Sequence, residues 1–187
     1  MRVENYVSTF KSALSSEVCD KIIKHGLSQK LTKATTNPST NRGSVRDSEI
    51  VWLDDPWILD LIMPYVERAN KEAGWNFQFR HAESLQFTKY GEGQFYDWHR
   101  DTLPTFDALF EIRKLSVTVN LNDGYEGGGV FFDPEKEYGI TNPILCEDIK
   151  PKGSICVFPS DVWHKVDKVT KGIRYSLVIW LKGNQWV

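Results

Sequence analysis

The apolar positions of the chain follow two regimes that change near residue 75. Before that point they recur every three to four residues. Val18, Cys19, Ile22 and Ile23 follow Leu14-Ser15-Ser16-Glu17, whose hydroxyls suit a helix N-cap, and Gly26 stands where a C′ glycine would end the helix. Residues 28 to 49 are polar, with Leu31 and Val45 as the only large apolar side chains and Asn-Pro and Arg-Gly-Ser as punctuation, which predicts a long loop. Ile50-Val51-Trp52-Leu53 reads as a short strand. Asp55-Pro56 then opens a second helix with a cap and a proline in the first turn, and Trp57, Leu61, Ile62, Tyr65, Val66, Ala69 and Ala73 form its stripe as far as Gly74.

From Trp75 onward the pattern becomes short strands. The predicted set is Trp75–Arg80, Glu83–Tyr90, Tyr96–Arg100, Lys114–Asn122, Gly129–Phe132, Ile144–Ile149, Ser154–Phe158, His164–Lys165 and Ile173–Leu181. Two helices followed by many strands predict an α+β fold, a jelly-roll core with N-terminal helices packed on one sheet. The expected unit is one domain over 1–187, with helical support to about residue 74 and the β core from about 75 to 183. Residues 102 to 113 and 133 to 143 are further long connections, of the kind that carry binding residues.

Composition narrows the function classes. A net charge of −2 and a pI near 6.1 give no basic face for nucleic acid, and no apolar run approaches the ~20 residues of a membrane span. Three cysteines without CxxC spacing, and a start without a basic-then-apolar leader, lead to the expectation of a reducing, cytoplasmic setting. Cys19 is expected on the apolar face of a helix and Cys156 in a strand core. The 24 aromatic residues (7 Trp, 7 Tyr, 10 Phe) exceed what this balance requires and could serve core, interface or pocket.

Two His-x-acid pairs occur, His99-Arg-Asp101 and His81-Ala-Glu83, and each would place two ligand atoms on one face of a strand. Either alone is weak, since a strand histidine with a local hydrogen bond is the commoner case. His164 raises the first pair, because two His and one carboxylate compose the facial triad of non-haem iron sites, with positions left open on the metal. In Arg174–Leu181, alternation puts Arg174, Ser176, Val178 and Trp180 on one face of a strand apolar enough to be buried on both sides. An inward guanidinium needs a partner. A distant Asp or Glu would serve, and so would a dicarboxylate ligand held by Arg174 with Ser176 as a further donor. Lys114–Asn122 repeats the alternation, with Ser116, Thr118, Asn120 and Asn122 facing either a polar cavity or solvent. Gly127-Gly128-Gly129 reads as a turn requiring positive φ, because no helix follows it to make a phosphate cradle.

Taken jointly, three stretches resemble the 2-oxoglutarate- and Fe(II)-dependent dioxygenases of the prolyl-hydroxylase type, and among them the PKHD-type hydroxylases. These are Gln86–Asp101, Leu115–Asn122 with Tyr125–Phe131, and Pro151–Ser160 running through Trp163-His164 to Gly172–Ser176. The resemblance covers residues of about 75 to 183 and includes the ten-residue step from His164 to Arg174. It implies that His99, Asp101 and His164 bind Fe(II) and that Arg174 binds the distal carboxylate of 2-oxoglutarate. Tyr90 matches a tyrosine that contacts the co-substrate, and Trp180 a tryptophan lining the same cavity; plain aromatic core is the other reading of both. Asn120 falls where many relatives carry a tyrosine that reaches the carboxylate. The implied reaction couples oxidative decarboxylation of 2-oxoglutarate, giving succinate and CO₂, to hydroxylation of a substrate C–H by O₂, with ascorbate as a candidate reductant.

Asp101 argues against the halogenating branch of such enzymes. Trp180 argues against the nucleobase-repair demethylases, which carry a second arginine six residues after the first. A peptidyl prolyl residue is the leading expected substrate, with a free amino acid or other small molecule beside it. Loops 28–49, with Arg42 and Arg46, and 102–113 would then close over the substrate. Tyr96, Trp98 and Trp163 fall with Tyr90 and Trp180 in or beside the ligand-bearing segments. A rival of another class is a non-catalytic, cupin-like jelly-roll binding module in which the same His and Asp residues are structural.

Overall fold

A computed structural model describes residues 5–34, 45–102 and 110–184. The N-terminal part gives β1 (Ser8–Phe10), α1 (Ser16–Ser28), β2 (Thr32–Lys33), β3 (Arg46–Asp47), β4 (Glu49–Leu53) and α2 (Pro56–Glu72). Eleven strands follow among the described residues. They are β5 (His81–Ala82), β6 (Leu85–Tyr90), β7 (Phe95–His99), β8 (Glu111–Asn120), β9 (Glu126–Gly127), β10 (Val130–Asp133), β11 (Ile144–Leu145), β12 (Ile155–Pro159), β13 (Trp163–Val166), β14 (Val169–Lys171) and β15 (Arg174–Asn184).

The strands assemble into a larger sheet, ordered β1-β12-β8-β15-β6-β4-β2 with β5 on β15, and a smaller one, ordered β11-β10-β13-β7-β3. All of these pairings are antiparallel. One face of the larger sheet carries Phe87, Leu115, Val117, Val119, Leu177 and Ile179, which pack with Cys19, Ile22, Ile58, Ile62, Val66 and Ala69 of the helices. Each such fully buried aliphatic or aromatic side chain contributes about 1.5–3 kcal/mol relative to exposure. The expected α+β jelly roll with helices on one sheet is therefore the fold, and Cys19 and Cys156 are buried where the pattern placed them. Among the described residues no helix is long and apolar enough to cross a membrane.

Several local expectations change. Ser15 caps α1 by accepting from the Val18 N–H at 3.4 Å, but Gly26 lies inside that helix, which runs on to Ser28. A Cβ at Gly26 would stand 2.6 Å from the Phe87 ring, so this glycine lets α1 lie directly on β6. Asp55 occupies the N-cap position of α2 without bonding the helix, its carboxylate held instead by His25 Nε2 at 2.7 Å and Trp57 Nε1 at 3.3 Å. On α2 the buried stripe runs through Ile58, and Leu61 is exposed. Residues 75–80 form no strand, and β5 begins only at His81. The stretch expected as one strand over 144–149 splits into β11 and a 3₁₀ turn, Glu147–Ile149. The loop over 28–49 contributes β2 and β3 as well as the first residue of β4; its residues 35–44, including Arg42, lie outside the described residues, as do 103–109.

The opposite face of the larger sheet looks toward the smaller one. Ser116, Thr118 and Asn120 on β8 are buried there beside Gln86 and Thr88 of β6 and Arg174 and Ser176 of β15. Alternation alone favoured a solvent-facing strand as the commoner case for these residues, but they are buried, and the second sheet closes over them.

Candidate active site

The smaller sheet delivers the two histidines. His99 ends β7, His164 lies on β13, and the two stand opposite each other in the ladder. Asp101 sits past the end of β7, where its N–H bonds the Ser160 carbonyl at 2.9 Å and turns the carboxylate back between the imidazoles. One ligand atom from each of His99, Asp101 and His164 lies within 4.8 Å of the other two. His99 Nε2 is 3.7 Å from Asp101 Oδ1, and His164 Nε2 is 3.5 Å from Oδ2.

The second bonds of each ligand aim it. His99 Nδ1 lies 2.8 Å from the Asp97 carbonyl and His164 Nδ1 2.9 Å from that of Val162, so each ring donates from Nδ1 and leaves the Nε2 lone pair facing inward. Ser116 Oγ donates to Asp101 Oδ2 at 2.7 Å and is itself 2.9 Å from Ser160 Oγ. Tyr96 stacks on His99 with ring centroids 3.4 Å apart, and the Arg46 guanidinium lies 4.6 Å from the Tyr96 ring.

Burial and the neighbouring His164 push His99 down to about 3. For Asp101 burial pushes upward, but His164, His99, the Ser116 hydroxyl and Arg113 outweigh it and hold the carboxyl below its ordinary value. The resting site thus presents His99 as a neutral imidazole and Asp101 as a carboxylate, the forms in which a divalent metal takes such ligands. Burial followed by Asp101 raises the Tyr96 phenol to about 12, so that ring stays neutral.

The facing wall carries the arginine. Arg174 is 1 % exposed, and among the described residues no carboxylate pairs with it. Its Nη1 donates to Ser176 Oγ at 3.2 Å, its guanidinium lies 5.5 Å from the Tyr90 ring, and its Nε has no partner. An uncompensated buried cation costs several kcal/mol, so this wall calls for an anion. A cavity is lined by the triad together with Arg46, Tyr90, Tyr96, Arg174, Ser176 and Trp180. The indole Nε1 of Trp180 is a second orphaned donor at that wall.

Trp98 and Trp163 are not among the residues lining this cavity, in which nine others singled out by sequence meet. Asn120 does not: its Nδ2 donates to the carbonyls of Lys150 and Asn122 at 2.6 and 3.0 Å, and its Oδ1 accepts from the Tyr125 hydroxyl at 3.0 Å. Its amide is spent on holding loops. The other His-x-acid pair is pulled apart, with His81 Nε2 3.5 Å from Glu111 and Glu83 bound bidentately by Arg113. Sequence reasoning put Ser116 on the polar face of its strand but not beside the triad, a role that needs the register of β8 against the Asp101 turn, and it passed over Gln86, which accepts from Arg46 at 2.8 Å. It also missed Trp52, 47 % exposed and 5.9 Å from Trp180. Cross-strand pairing of Trp52 with Gln86 could have found it, had the order β4-β6 been known.

The donor set of two imidazoles and a carboxylate fits a non-haem ferrous ion, and the orphaned Arg174 Nε fits the carboxylate of a bidentate co-substrate. A jelly roll with this triad and a buried arginine ten residues on defines a class of metal-dependent oxygenases. Residues 85–182 match the model of the 2OG-Fe(II) oxygenase superfamily, and the chain belongs to that family. Membership brings Fe(II), with 2-oxoglutarate and O₂ as co-substrates. The chain is 31% identical over 105 residues to a PKHD-type hydroxylase of Thermosynechococcus vestitus, and 31% over 101 residues to one of Alteromonas mediterranea. These matches take in 52% and 51% of this chain but only 42% of either relative, so the chain matches less than half their length. In fold it is similar to the viral collagen prolyl hydroxylase of Paramecium Bursaria Chlorella virus-1, with a TM-score of 0.72 at 21% identity over 98% of this chain and 99% of that one. A prolyl hydroxylase of Trichoplax adhaerens, solved with a hypoxia inducible factor peptide, gives 0.74 at 17% identity over 95% and 84%.

Proposed function

We propose that the chain is a single-domain Fe(II)- and 2-oxoglutarate-dependent dioxygenase that hydroxylates a substrate C–H, with a peptidyl prolyl residue as the leading substrate and succinate and CO₂ as co-products. The observation that carries this reading is the pairing, in one cavity, of the His99, Asp101 and His164 triad with a buried arginine that has no carboxylate partner among the described residues. His99, Asp101 and His164 hold the iron. Arg174 takes the distal carboxylate of 2-oxoglutarate, with Ser176 beside it and Tyr90 covering the guanidinium. Bound iron supplies activation of O₂ coupled to decarboxylation of the co-substrate.

The remaining work falls to the protein. Backbone carbonyls of Asp97 and Val162 keep the imidazole Nδ1 protons in place, and Ser116 fixes the carboxylate. Tyr96, Val178, Phe158 and Trp180 keep water from the reacting centre. Arg46, Tyr96 and Trp180 form the substrate side of the cavity, where Trp52 extends the aromatic wall to the surface. The prolyl assignment draws on the prolyl hydroxylases among the structural neighbours, one of them solved with a peptide. A reducing compartment suits the three free thiols, Cys19, Cys146 and Cys156.

The test is aerobic incubation with Fe(II), ascorbate and 2-oxoglutarate against peptide and metabolite libraries, read by mass spectrometry for a gain of one oxygen and by assay for succinate. Turnover that disappears in His99→Ala is expected. Fe(II)-independent behaviour with no succinate under any condition would leave only the binding module. Oxygen gain on free amino acids but not on peptides would replace the prolyl substrate.

A further inference from the structure

Three thiols are free in this chain, and two of them meet. Along β12 the side chains alternate between two layers: Ile155 and Val157 join the core beneath the helices, while Cys156 and Phe158 face the smaller sheet. Cys146 arrives from that smaller sheet. It follows β11, its N–H bonds the Val130 carbonyl of β10 at 2.9 Å, and its side chain packs into the cluster of Val130, Phe132, Ile149, Cys156 and Phe158.

The backbone on both sides of the pair is tied together. Thr9 of β1 stands opposite Cys156 in the ladder, and its hydroxyl donates to Asp148 Oδ2 at 3.3 Å. Lys11 Nζ holds the other oxygen of that carboxylate at 2.7 Å. β1 thus joins the 3₁₀ turn that begins after Cys146 to the strand that carries Cys156, and the Cys156 thiol donates a hydrogen bond to the Cys146 sulfur.

The two sulfurs are unlike. Cys156 is fully buried between β1 and β8, and burial followed by the contact with Cys146 pushes its thiol well above the ordinary value. Cys146 is half-buried with exposed Leu145 and Glu147 on either side, and the hydrogen bond from Cys156 holds it below its ordinary value against burial. The reachable, more acidic thiol is the one an oxidant meets, and its protonated neighbour is placed to follow. Cys19 lies apart, in the core between the helices and the larger sheet.

We propose that Cys146 and Cys156 are a modification site for hydroperoxides, a thiol pair that closes reversibly into a disulfide between the two sheets. The Cys146 thiolate attacks the O–O bond of hydrogen peroxide and becomes a sulfenic acid, while the departing hydroxide takes up the proton that Cys146 had given up. The Cys156 sulfur then attacks the Cys146 sulfur, the S–O bond breaks, and the hydroxide leaves as water with the Cys156 proton. Two thiols are oxidised, one peroxide is reduced, and two waters form. The new bond fastens the turn after β11 to the strand carrying Phe158, whose ring centroid lies 4.7 Å from that of His164.

The experiment treats the full chain, freed of iron so that no metal–peroxide chemistry intrudes, with rising doses of hydrogen peroxide. The product is then unfolded and alkylated, and its thiols are counted by mass spectrometry. A loss of two hydrogens is expected, with Cys19 as the one alkylated thiol and a non-reduced peptide joining residues 146 and 156; dithiothreitol should restore all three thiols. Cys156→Ser should stop at a sulfenic acid on Cys146 that a dimedone probe captures. Should that buried variant misfold, Cys146→Ser at the half-buried position carries the comparison, and it should leave Cys156 reduced at doses that convert the wild type. Three alkylated thiols at every dose overturn the proposal. So does a sulfinic acid on Cys146 formed with Cys156 still reduced, and so does a disulfide joining two copies of the chain through Cys146. None of these results bears on the triad and Arg174, whose reading rests on other residues.

Discussion

Ser116 carries no ligand atom for the metal, yet its hydroxyl lies 2.7 Å from Asp101 Oδ2 and braces against Ser160. Outer bonds of this kind commonly carry 10- to 100-fold in metal affinity. Ser116→Ala is expected to weaken Fe(II) binding by about that factor while leaving the fold intact, measured by metal titration of the thermal midpoint; an unchanged affinity would reduce the contact to packing. Arg174→Ala should act on the other ligand. Losing one partner of a buried charge pair costs about 2–5 kcal/mol, so the 2-oxoglutarate KM should rise by roughly two orders of magnitude with iron affinity unchanged. A rise in the Kd of both ligands would instead indicate that Arg174 supports the cavity as a whole. The triad was legible at this scale because His99 and Asp101 are near neighbours in sequence. Asn120 was legible only as a departure from its relatives, since nothing local foretells that its amide would be spent on Lys150 and Asn122.

At the scale of elements, the fit of α1 on β6 depends on Gly26. A Cβ there meets the Phe87 ring at 2.6–2.8 Å, well inside contact distance, so Gly26→Ala must push the helix off the sheet or turn the ring. Overpacking of this kind costs about 1–3 kcal/mol, more than the helix propensity gained from alanine. A lower denaturant midpoint at constant m-value is the expected result, and a stabilised variant would show that the interface has slack. Sequence pattern placed α1, α2 and the long strands β6, β8, β12 and β15, because each buries a face over several residues. It missed β2, β3, β5 and β9, of two residues each, and β1 and β14, of three, none long enough to show a period. It also read Gly26 as a stop, since a glycine that ends a helix and one that admits a neighbouring ring look alike in sequence.

For the molecule as a whole, the site sets a pH dependence. His99 titrates at about 3 in the fold against 6.5 as an ordinary imidazole. Between those values the unfolded chain takes up a proton that the folded one refuses, so the metal-free protein should lose stability as pH falls from 6.5 toward 3. Asp101, held below its ordinary 3.8, adds a loss in the same direction at the acid end. Thermal midpoints across this range, compared with His99→Gln, should be flatter in the variant; equal slopes would remove His99 as the source. Metal binding acts against this trend. A ligand that binds only the folded form adds about 2.7 kcal/mol at a hundredfold excess over its Kd, so a chelator should lower the midpoint of the iron-loaded protein and leave the metal-free one unmoved.

The sequence alone determined the features that rest on short range or on period: the helices, the long strands, the His99 and Asp101 pair, and the step from His164 to Arg174. Tertiary structure decided which His-x-acid pair meets His164, because a third ligand from a distant strand depends on sheet order. It also decided that the polar face of β8 lines a cavity instead of meeting water, since alternation is identical in both cases and only the covering sheet distinguishes them. The same holds for Arg174. Whether a buried guanidinium finds a carboxylate depends on every segment folded around it, and here none of the described segments supplies one.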